Sequence, residues 1–206
     1  MDISSAITTA LYMVSTSLLY PVVIALLVLA AYSFILLGAF LSEYASRNRN
    51  IAKLREGCEE AKKFLIEKEY ARAAIVLKGC GSNDLLKEFM LDLSKLLGNS
   101  KFALEGEMLL QDYEIRIVAA LEKPKLLIRI GPMLGLMGTL IPMGPALIGL
   151  STGNIQQLAS NLVIAFTTTV VGLLIGGIGF IIFTIKRRWY AQDLSDMEYA
   201  VKILGG

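Results

Sequence analysis

Threonines at four positions in the most apolar part of the sequence are the first candidates for chemistry. Thr139 follows a run of glycines, and three consecutive threonines occupy positions 167–169. A threonine hydroxyl can hold water or hydrogen-bond a titrating partner, although it often bonds only the carbonyl four residues back in its own helix. Positions 130–185 contain no Asp, Glu, Lys or Arg, and the chain has no histidine. The sequence therefore offers hydroxyls there but no carboxylate or imidazole of its own to relay a proton.

Two long uncharged stretches predict the elements that position these hydroxyls. They cover residues 3–42 and 130–185, in a chain of 206 residues that is 55% hydrophobic and only 18% charged. A membrane-spanning helix needs about 20 apolar residues, so the second stretch is long enough for two spans. The predicted order is an external amphipathic N-terminal helix (1–20), transmembrane helix 1 (21–42), a cytoplasmic helical segment (43–129), transmembrane helix 2 (130–150), a short external turn (151–160), transmembrane helix 3 (161–185) and a cytoplasmic tail (186–206).

The basic residues predict the orientation of these spans. Sixteen of the 20 Lys and Arg residues lie between positions 47 and 129, and the other four follow position 185. By the positive-inside rule, the long segment and the tail face the cytoplasm and the N-terminus lies outside, in a multi-pass protein of the plasma membrane. A cleaved signal peptide is the rival interpretation of the N-terminus, but no basic residue precedes its apolar run. Cys58 and Cys80 would then be free thiols in a reducing compartment.

Residues 43–129 read as three helices. Ile51, Leu54, Cys58, Ala61 and Leu65 form the first apolar stripe; Leu85, Phe89 or Met90, Leu93 and Leu96 or Leu97 the second; Leu104, Met108, Gln111, Ile115, Val118 and Leu121 the third. Breaks are expected at residues 78–84 and 98–101, and Pro124 should bend or reset the third helix. This segment is expected to be a small bundle that packs on itself or on neighbouring copies, with a docking surface for a regulator as the alternative.

Small residues repeat along one face of each helix in the second apolar stretch. On transmembrane helix 2 they are Gly131, Gly135, Gly138, Pro142, Pro145 and Gly149, and on helix 3 Asn161, Ala165, Thr169, Gly172, Gly176 and Gly179. Small faces allow helices to approach closely in lipid. Packing inside one chain would explain them, but two complete faces favour self-association into an oligomer. Pro132, Pro142 and Pro145 predict a kinked second span, because each frees a carbonyl that needs another partner.

Two of these segments resemble a known family. Residues 130–140, IGPMLGLMGTL, resemble the "APLLGLLGTV" signature of the MotA/TolQ/ExbB proton-channel family, and residues 165–173, AFTTTVVGL, resemble that family's "AL-x-x-T-x-x-GL" run. The order of the spans is also similar. Three features depart from the family pattern. Pro142 stands where a glycine is common, and residues 176–179 contain no proline where many members have one. Ile164 stands where transport-type members tend to have a carboxylate.

The resemblance implies an all-α membrane protein, oligomeric around a central pore as a homopentamer in the lipid bilayer. A single-span partner resembling ExbD, TolR or MotB would place a helix with an intramembrane Asp in that pore. Ion flow, most simply of protons, would drive movement of one component against the other. The residues assigned to the ion path or partner interface are Thr139, Thr169, Thr168 and Asn161.

Composition argues against other classes of function. The net charge of +2, with no dense basic block, gives no support for nucleic-acid binding. The sequence contains no GxxxxGK[ST] loop for phosphate and no histidine, so neither a metal site nor a cofactor is expected, and a membrane enzyme is a poor alternative. The alternative from a different class is an oligomeric membrane scaffold without ion flux.

Overall fold

The chain folds into helices, and no strand occurs in the part that the structure describes. The structure is a computed structural model and describes residues 3–47, 49–99 and 101–205. Positions 1, 2, 48, 100 and 206, where some of the predicted segments begin, end or break, lie outside the described residues. In order, the helices are α1 (Ile3–Ser17), α2 (Leu19–Ser46), α3 (Ile51–Ile66), α4 (Tyr70–Cys80), α5 (Asp84–Lys95), α6 (Phe102–Ser151) and α7 (Ile155–Gly205).

Three helical stretches are long and apolar enough to cross a membrane, which confirms the predicted all-α fold with three spans. They are Ala6–Ser46, Phe102–Ser151 and Ile155–Gly205. The chain is a multi-pass membrane protein. It divides into two compact units, a membrane unit (residues 1–40 and 123–183) and a bundle unit (residues 41–122 and 184–206).

Helix α2, Leu19–Ser46, extends beyond the span predicted at residues 21–42 at both ends. The break between α1 and α2 falls at Leu18, where the backbone N–H still donates to the Val14 carbonyl. Pro21 was expected to mark the start of the span, but it lies in the first turn of α2. A proline is tolerated there because the first backbone N–H groups of a helix have no partner in it.

The turn between the last two spans is shorter than predicted. It comprises residues 152–154 rather than 151–160, with Gly153 at a φ of +74°. Asn154 caps α7, because its Oδ1 accepts a hydrogen bond of 3.0 Å from the backbone N–H of Gln157. The polar residues that follow Asn154 were assigned to the turn, but this cap allows them to begin the helix.

Pro124 does not reset the third cytoplasmic helix, which was one of its two predicted effects; the other, a bend, stays a prediction. That helix and transmembrane helix 2 form one helix, α6, which includes all four of Pro124, Pro132, Pro142 and Pro145. The tail is likewise the end of α7 rather than a separate segment. A proline inside a spanning helix removes one N–H donor, and close neighbouring helices offset that loss. The kink assigned to the last three prolines stays a prediction.

In the membrane unit, α2 packs against one side of the α6–α7 hairpin. Leu26 of α2 forms a buried cluster with Leu127 of α6 and Ile175 of α7. Leu134 of α6 and Val171 of α7 extend the same cluster. This side of the hairpin is therefore covered within the chain.

The bundle unit has a core of large side chains from α3 to α7. Its buried members include Leu54, Cys58 and Ala61 from α3, Leu86, Phe89, Met90 and Leu93 from α5, and Met197, Ala200 and Val201 from α7. The predicted stripes of the first two cytoplasmic helices thus supply core residues. An additional break at residues 67–69, with Lys68 at a φ of 60°, was not predicted.

The predicted stripe on the third cytoplasmic helix is wrong. Leu104, Met108, Ile115 and Val118 are all more than half exposed, and the buried face of α6 consists of Gly106, Tyr113 and Ile117. Tyr113 packs edge-on against Phe89 with ring centroids 5.1 Å apart, and its hydroxyl donates a 2.8 Å hydrogen bond to Asp92. Periodicity favoured the aliphatic side chains because a tyrosine with a satisfied hydroxyl does not stand out in a hydrophobic pattern.

A buried ion pair ties the chain after α2 to α7 within the bundle unit. Asp193 is completely buried, and its Oδ1 accepts 2.7 Å hydrogen bonds from Arg47 and from Asn83. Arg47 also lies 4.8 Å from the centroid of the Trp189 ring. Burial raises the pKa of Asp193, and the hydrogen bond from Arg47 opposes that shift. A second pair joins Arg49 to Asp196.

Candidate functional site

The glycine faces of α6 and α7 lie against each other. A Cβ added to Gly172 would lie 2.6 Å from the carbonyl oxygen of Gly131, and one added to Gly131 would lie 2.9 Å from the carbonyl oxygen of Gly172. A Cβ added to Gly176 would lie 2.9 Å from Cγ of the Pro132 ring. The backbones are therefore in direct contact, as small residues permit. Packing inside one chain accounts for both faces, so these glycines provide no argument for an oligomer.

Thr168 lies inside this contact. It is only 6% exposed, and a Cβ on Gly138 would lie 2.6 Å from the Thr168 Cβ. Its hydroxyl donates to the carbonyls of Ile164 and Ala165 at 3.0 and 2.9 Å. Both acceptors belong to its own helix. In this position Thr168 packs the two helices together, and it is not on an open surface where a partner helix could reach it.

Thr139 and Thr169 lie together beside the contact. A Cβ on Gly135 would lie 3.4 Å from the Thr169 Cα, so Thr169 borders α6 on the Gly135 side. Thr139 follows Gly135 by four residues, which places it one turn further along the same side of α6. The two threonines therefore share one side of the hairpin at nearly the same level. Both are half-buried.

The side that carries these threonines is the side left open by the chain. Residues three before or four after a helical residue share its face. For Thr139 and Thr169 those neighbours are Leu136, Met143, Phe166 and Leu173, which are 59%, 43%, 67% and 59% exposed. By contrast, Leu134 and Val171 pack in the α2 cluster. We call the open surface of Leu136, Thr139, Met143, Phe166, Thr169 and Leu173 the threonine side.

The two hydroxyls on the threonine side are acceptors with capacity to spare. Thr139 donates its proton to the Leu136 carbonyl at 2.7 Å, and Thr169 donates to the Ala165 carbonyl at 3.2 Å. A hydroxyl oxygen has two lone pairs, so each can still accept a hydrogen bond. A water molecule or a protonated carboxylic acid could supply it. Neither hydroxyl ionises near neutral pH, so neither can by itself take up or release a net proton.

Asn161 is not grouped with the two threonines. It lies on α7 eight residues before Thr169, which is about 12 Å along a helix. Its Nδ2 donates a 2.9 Å hydrogen bond to the carbonyl of Gln157, so the side chain bonds its own helix near the turn. Its predicted place on the ion path therefore has no geometric support from the threonines.

A comparison with protein families gave a match. The profile of the MotA/TolQ/ExbB proton channel family matches residues 85–198, which include α5 apart from its first residue, all of α6 and most of α7. The chain belongs to the MotA/TolQ/ExbB proton channel family. The matched region contains both helices of the hairpin and both open threonines. The comparison with curated protein sequences gave no match.

Sequence reasoning did not separate the three threonines of α7. They are adjacent in the chain, yet Thr167 is exposed, Thr168 is buried and Thr169 is half-buried beside α6. What separates them is the register between the two helices, because Gly138 lies against the Thr168 side chain and Gly135 lies against the backbone of Thr168 and Thr169. The α2 cluster covers one side of the hairpin and leaves the other side open. This difference cannot be predicted from the residue pattern of a single span.

Proposed function

We propose that this chain is the pore-forming, stator-type subunit of an ion-driven membrane motor, with the proton as the driving ion. Its partner is a single-span protein of the ExbD, TolR or MotB type, and the chain assembles as a pentamer. The observation that carries this proposal is the threonine side, which pairs two accepting hydroxyls with an open apolar surface. The proposal places the chain in the plasma membrane with its N-terminus outside and its C-terminus in the cytoplasm.

The absence of charged residues from the second and third predicted spans supports the proposal of a partner chain. Transfer of a proton through hydrocarbon requires a titratable group, and residues 130–185 contain no Asp, Glu, Lys, Arg or His. A partner helix with one carboxylate would supply that group at the level of Thr139 and Thr169. The protonated carboxylic acid could donate a hydrogen bond to either hydroxyl. The ionised carboxylate has no proton to donate and would leave this position. Each charge that crosses the membrane contributes about 2.3 kcal/mol per 100 mV, which is enough to bias a small rotation.

The test is the removal of single hydroxyls at nearly constant volume. Thr139→Val and Thr169→Val should each leave assembly intact and strongly reduce ion flow, because the partner's carboxylic acid loses one of its two acceptors. The matched control is Thr167→Val, since Thr167 makes the same kind of bond, 2.7 Å to the Val163 carbonyl, but is exposed elsewhere on α7. Flow is measured with a pH-sensitive dye in vesicles containing the complex extracted with its co-purifying chains.

Full proton flow in both Val variants would contradict the role of the threonine side. An assembled complex without any proton flow, in the unsubstituted protein as well, would favour the oligomeric scaffold instead. If the Thr167→Val control lost as much proton flow as the other two variants, the loss would reflect a structural role of the threonines and not the position of Thr139 and Thr169.

A further inference from the structure

A straight stripe on α6 connects the threonine side to two cations. Counting back from Thr139 in steps of three and four residues gives Leu136, Pro132, Arg129 and Lys125. Residues spaced in this way follow one face of a helix, with a drift of only about 20° per seven residues. Lys125, Arg129 and Leu136 are exposed, and Pro132 is half-buried. The stripe is therefore open from Lys125 to Thr139, entirely within the membrane unit.

The two cations of the stripe form no ion pair with any residue that the structure describes. Arg47, Arg49 and Lys186 each form an ion pair with a carboxylate. Among the residues that the structure describes, neither Lys125 nor Arg129 does so. Arg129 is also the last charged residue before the uncharged stretch 130–185. Two positive charges thus stand at the end of the span, on the stripe that carries Thr139.

We infer that Lys125 and Arg129 bind acidic residues of the partner helix that lies along Thr139. The inference rests on the proposed function, because it uses the partner's place on the threonine side. A helix that contacts Thr139 and follows the stripe reaches Arg129 after ten residues and Lys125 after fourteen, about 15–21 Å further on. The partner therefore carries Asp or Glu 10–14 residues from its intramembrane carboxylate, at the end of its span nearest Arg129.

This contact fixes the depth of the partner helix. The hydroxyls of Thr139 and Thr169 can accept from a carboxylic acid only when it lies at their level. An ion pair at the end of the span resists sliding along the stripe, because a shift by one turn of 5.4 Å would separate the charges. Charge pairs of this kind set register and partner choice more than they add affinity. The two cations are therefore positioning residues for the ion path.

The chain offers a matched control in Lys123. It is an exposed lysine of the same helix, but it lies two residues from Lys125 and therefore about 200° away around α6. Lys123→Gln removes the same charge from the same end of the span without touching the stripe. A general effect of charge near the membrane surface would appear in Lys123→Gln at about half its size in Lys125→Gln/Arg129→Gln, because the double substitution removes two charges and the control removes one.

The experiment uses the full chain in nanodiscs of neutral phosphatidylcholine and two synthetic single-span peptides. Both peptides carry one Asp at the centre of the span, and one carries three Glu residues 10–14 positions away where the other carries Gln. Because a peptide can enter a nanodisc from either face, each can adopt the matching orientation. Binding is measured by fluorescence anisotropy with the unsubstituted chain, with Lys125→Gln/Arg129→Gln and with Lys123→Gln.

We expect the Glu peptide to bind the unsubstituted chain roughly tenfold more tightly than the Gln peptide, as two ion pairs allow. The preference should disappear in Lys125→Gln/Arg129→Gln, persist in Lys123→Gln and weaken as salt is added. Equal binding of the two peptides, or a preference that survives the double substitution, would overturn the inference and leave the proposed function standing. Failure of both peptides to bind would overturn the partner's place on the threonine side itself.

Anionic lipid is the rival occupant of these cations. The same variants are therefore compared by native mass spectrometry in nanodiscs that contain phosphatidylglycerol. If Lys125→Gln/Arg129→Gln loses retained phosphatidylglycerol while the two peptides bind the unsubstituted chain alike, the pair holds a lipid headgroup and the inference is wrong.

Discussion

The membrane unit and the bundle unit are stabilised in opposite ways. In the membrane unit, α6 and α7 meet through glycine backbones, and the hydroxyls of Thr139 and Thr169 bond only carbonyls of their own helices. In the bundle unit, large side chains form the core and a completely buried carboxylate, Asp193, pairs with Arg47. The chain can thus bury a charge where it provides the counter-ion. Residues 3–42 and 130–185 contain no charged side chain, so an ion path through them would depend on a charge from another chain.

The largest expected effect is the loss of the buried ion pair. Arg47→Met leaves Asp193 buried without its cation, and we expect the free energy of unfolding of the bundle unit to fall by about 3–5 kcal/mol. Trp189, the only tryptophan of the chain, lies against Arg47, so its fluorescence during denaturant unfolding in detergent reports the change.

The control for this prediction is an exposed ion pair of the same unit. Arg72→Met breaks the pair between Arg72 and Glu69, whose side chains are 68% and 40% exposed. Exposed pairs contribute about 1 kcal/mol or less. Equal losses in the two variants would show that the bundle unit does not depend on its buried charge.

The next effect in size concerns the glycine contact of the membrane unit. Gly172→Ala places a methyl group against the Gly131 carbonyl, and overpacking of this kind costs about 1–3 kcal/mol. Gly177→Ala is the matched control, because a Cβ there would meet nothing within 4 Å. The midpoint of thermal unfolding in detergent, followed by circular dichroism, should fall for the first variant and hold or rise for the second. A similar unfolding midpoint for both variants would mean that the close approach of the two backbones does not contribute to stability.

The smallest effect depends on pH. Burial, aided by the hydrogen bond to Asp92, raises the pKa of Tyr113 from 10.0 to about 12. Its contribution to stability is therefore complete below pH 10 and is lost as the pH rises toward 12. Tyr113→Phe should lower the free energy of unfolding by about 1 kcal/mol at pH 8, since one hydrogen bond is lost.

The same pair of proteins tests the sign of the pH effect. The difference in unfolding free energy between the unsubstituted chain and Tyr113→Phe should narrow as the pH rises from 10 to 12, because only the unsubstituted chain loses the contribution of Tyr113. The other tyrosines are present in both proteins, so their titration cancels in the comparison. A difference that grows over this range would contradict the raised pKa of Tyr113.

The sequence predicted the spans because hydropathy and charge act over whole segments. It misplaced local boundaries where one side chain decides them. Asn154 caps α7 and shortens the turn, and Pro21 is tolerated in the first turn of α2. The stripe of α6 in the bundle unit was assigned to the wrong face, because Tyr113 is buried by a ring contact and a hydrogen bond that periodicity does not register.

The candidate site was predictable in composition but not in arrangement. The glycines and threonines were visible as repeating small residues. Their division into a packed Thr168 and an open pair, Thr139 and Thr169, required the register between two helices. The pair of Arg47 and Asp193 could not be predicted either, because it joins residues 146 positions apart in the chain.

The mass of the complex, extracted in mild detergent with its co-purifying chains, tests the central claim most directly. We expect a mass that includes about five copies of this 22.5 kDa chain together with a single-span protein that carries a carboxylate within its span. Such a complex would place a titrating group where the threonine side lacks one. A monomer or dimer without that protein would leave the ion path without any titrating group and would contradict the proposed motor.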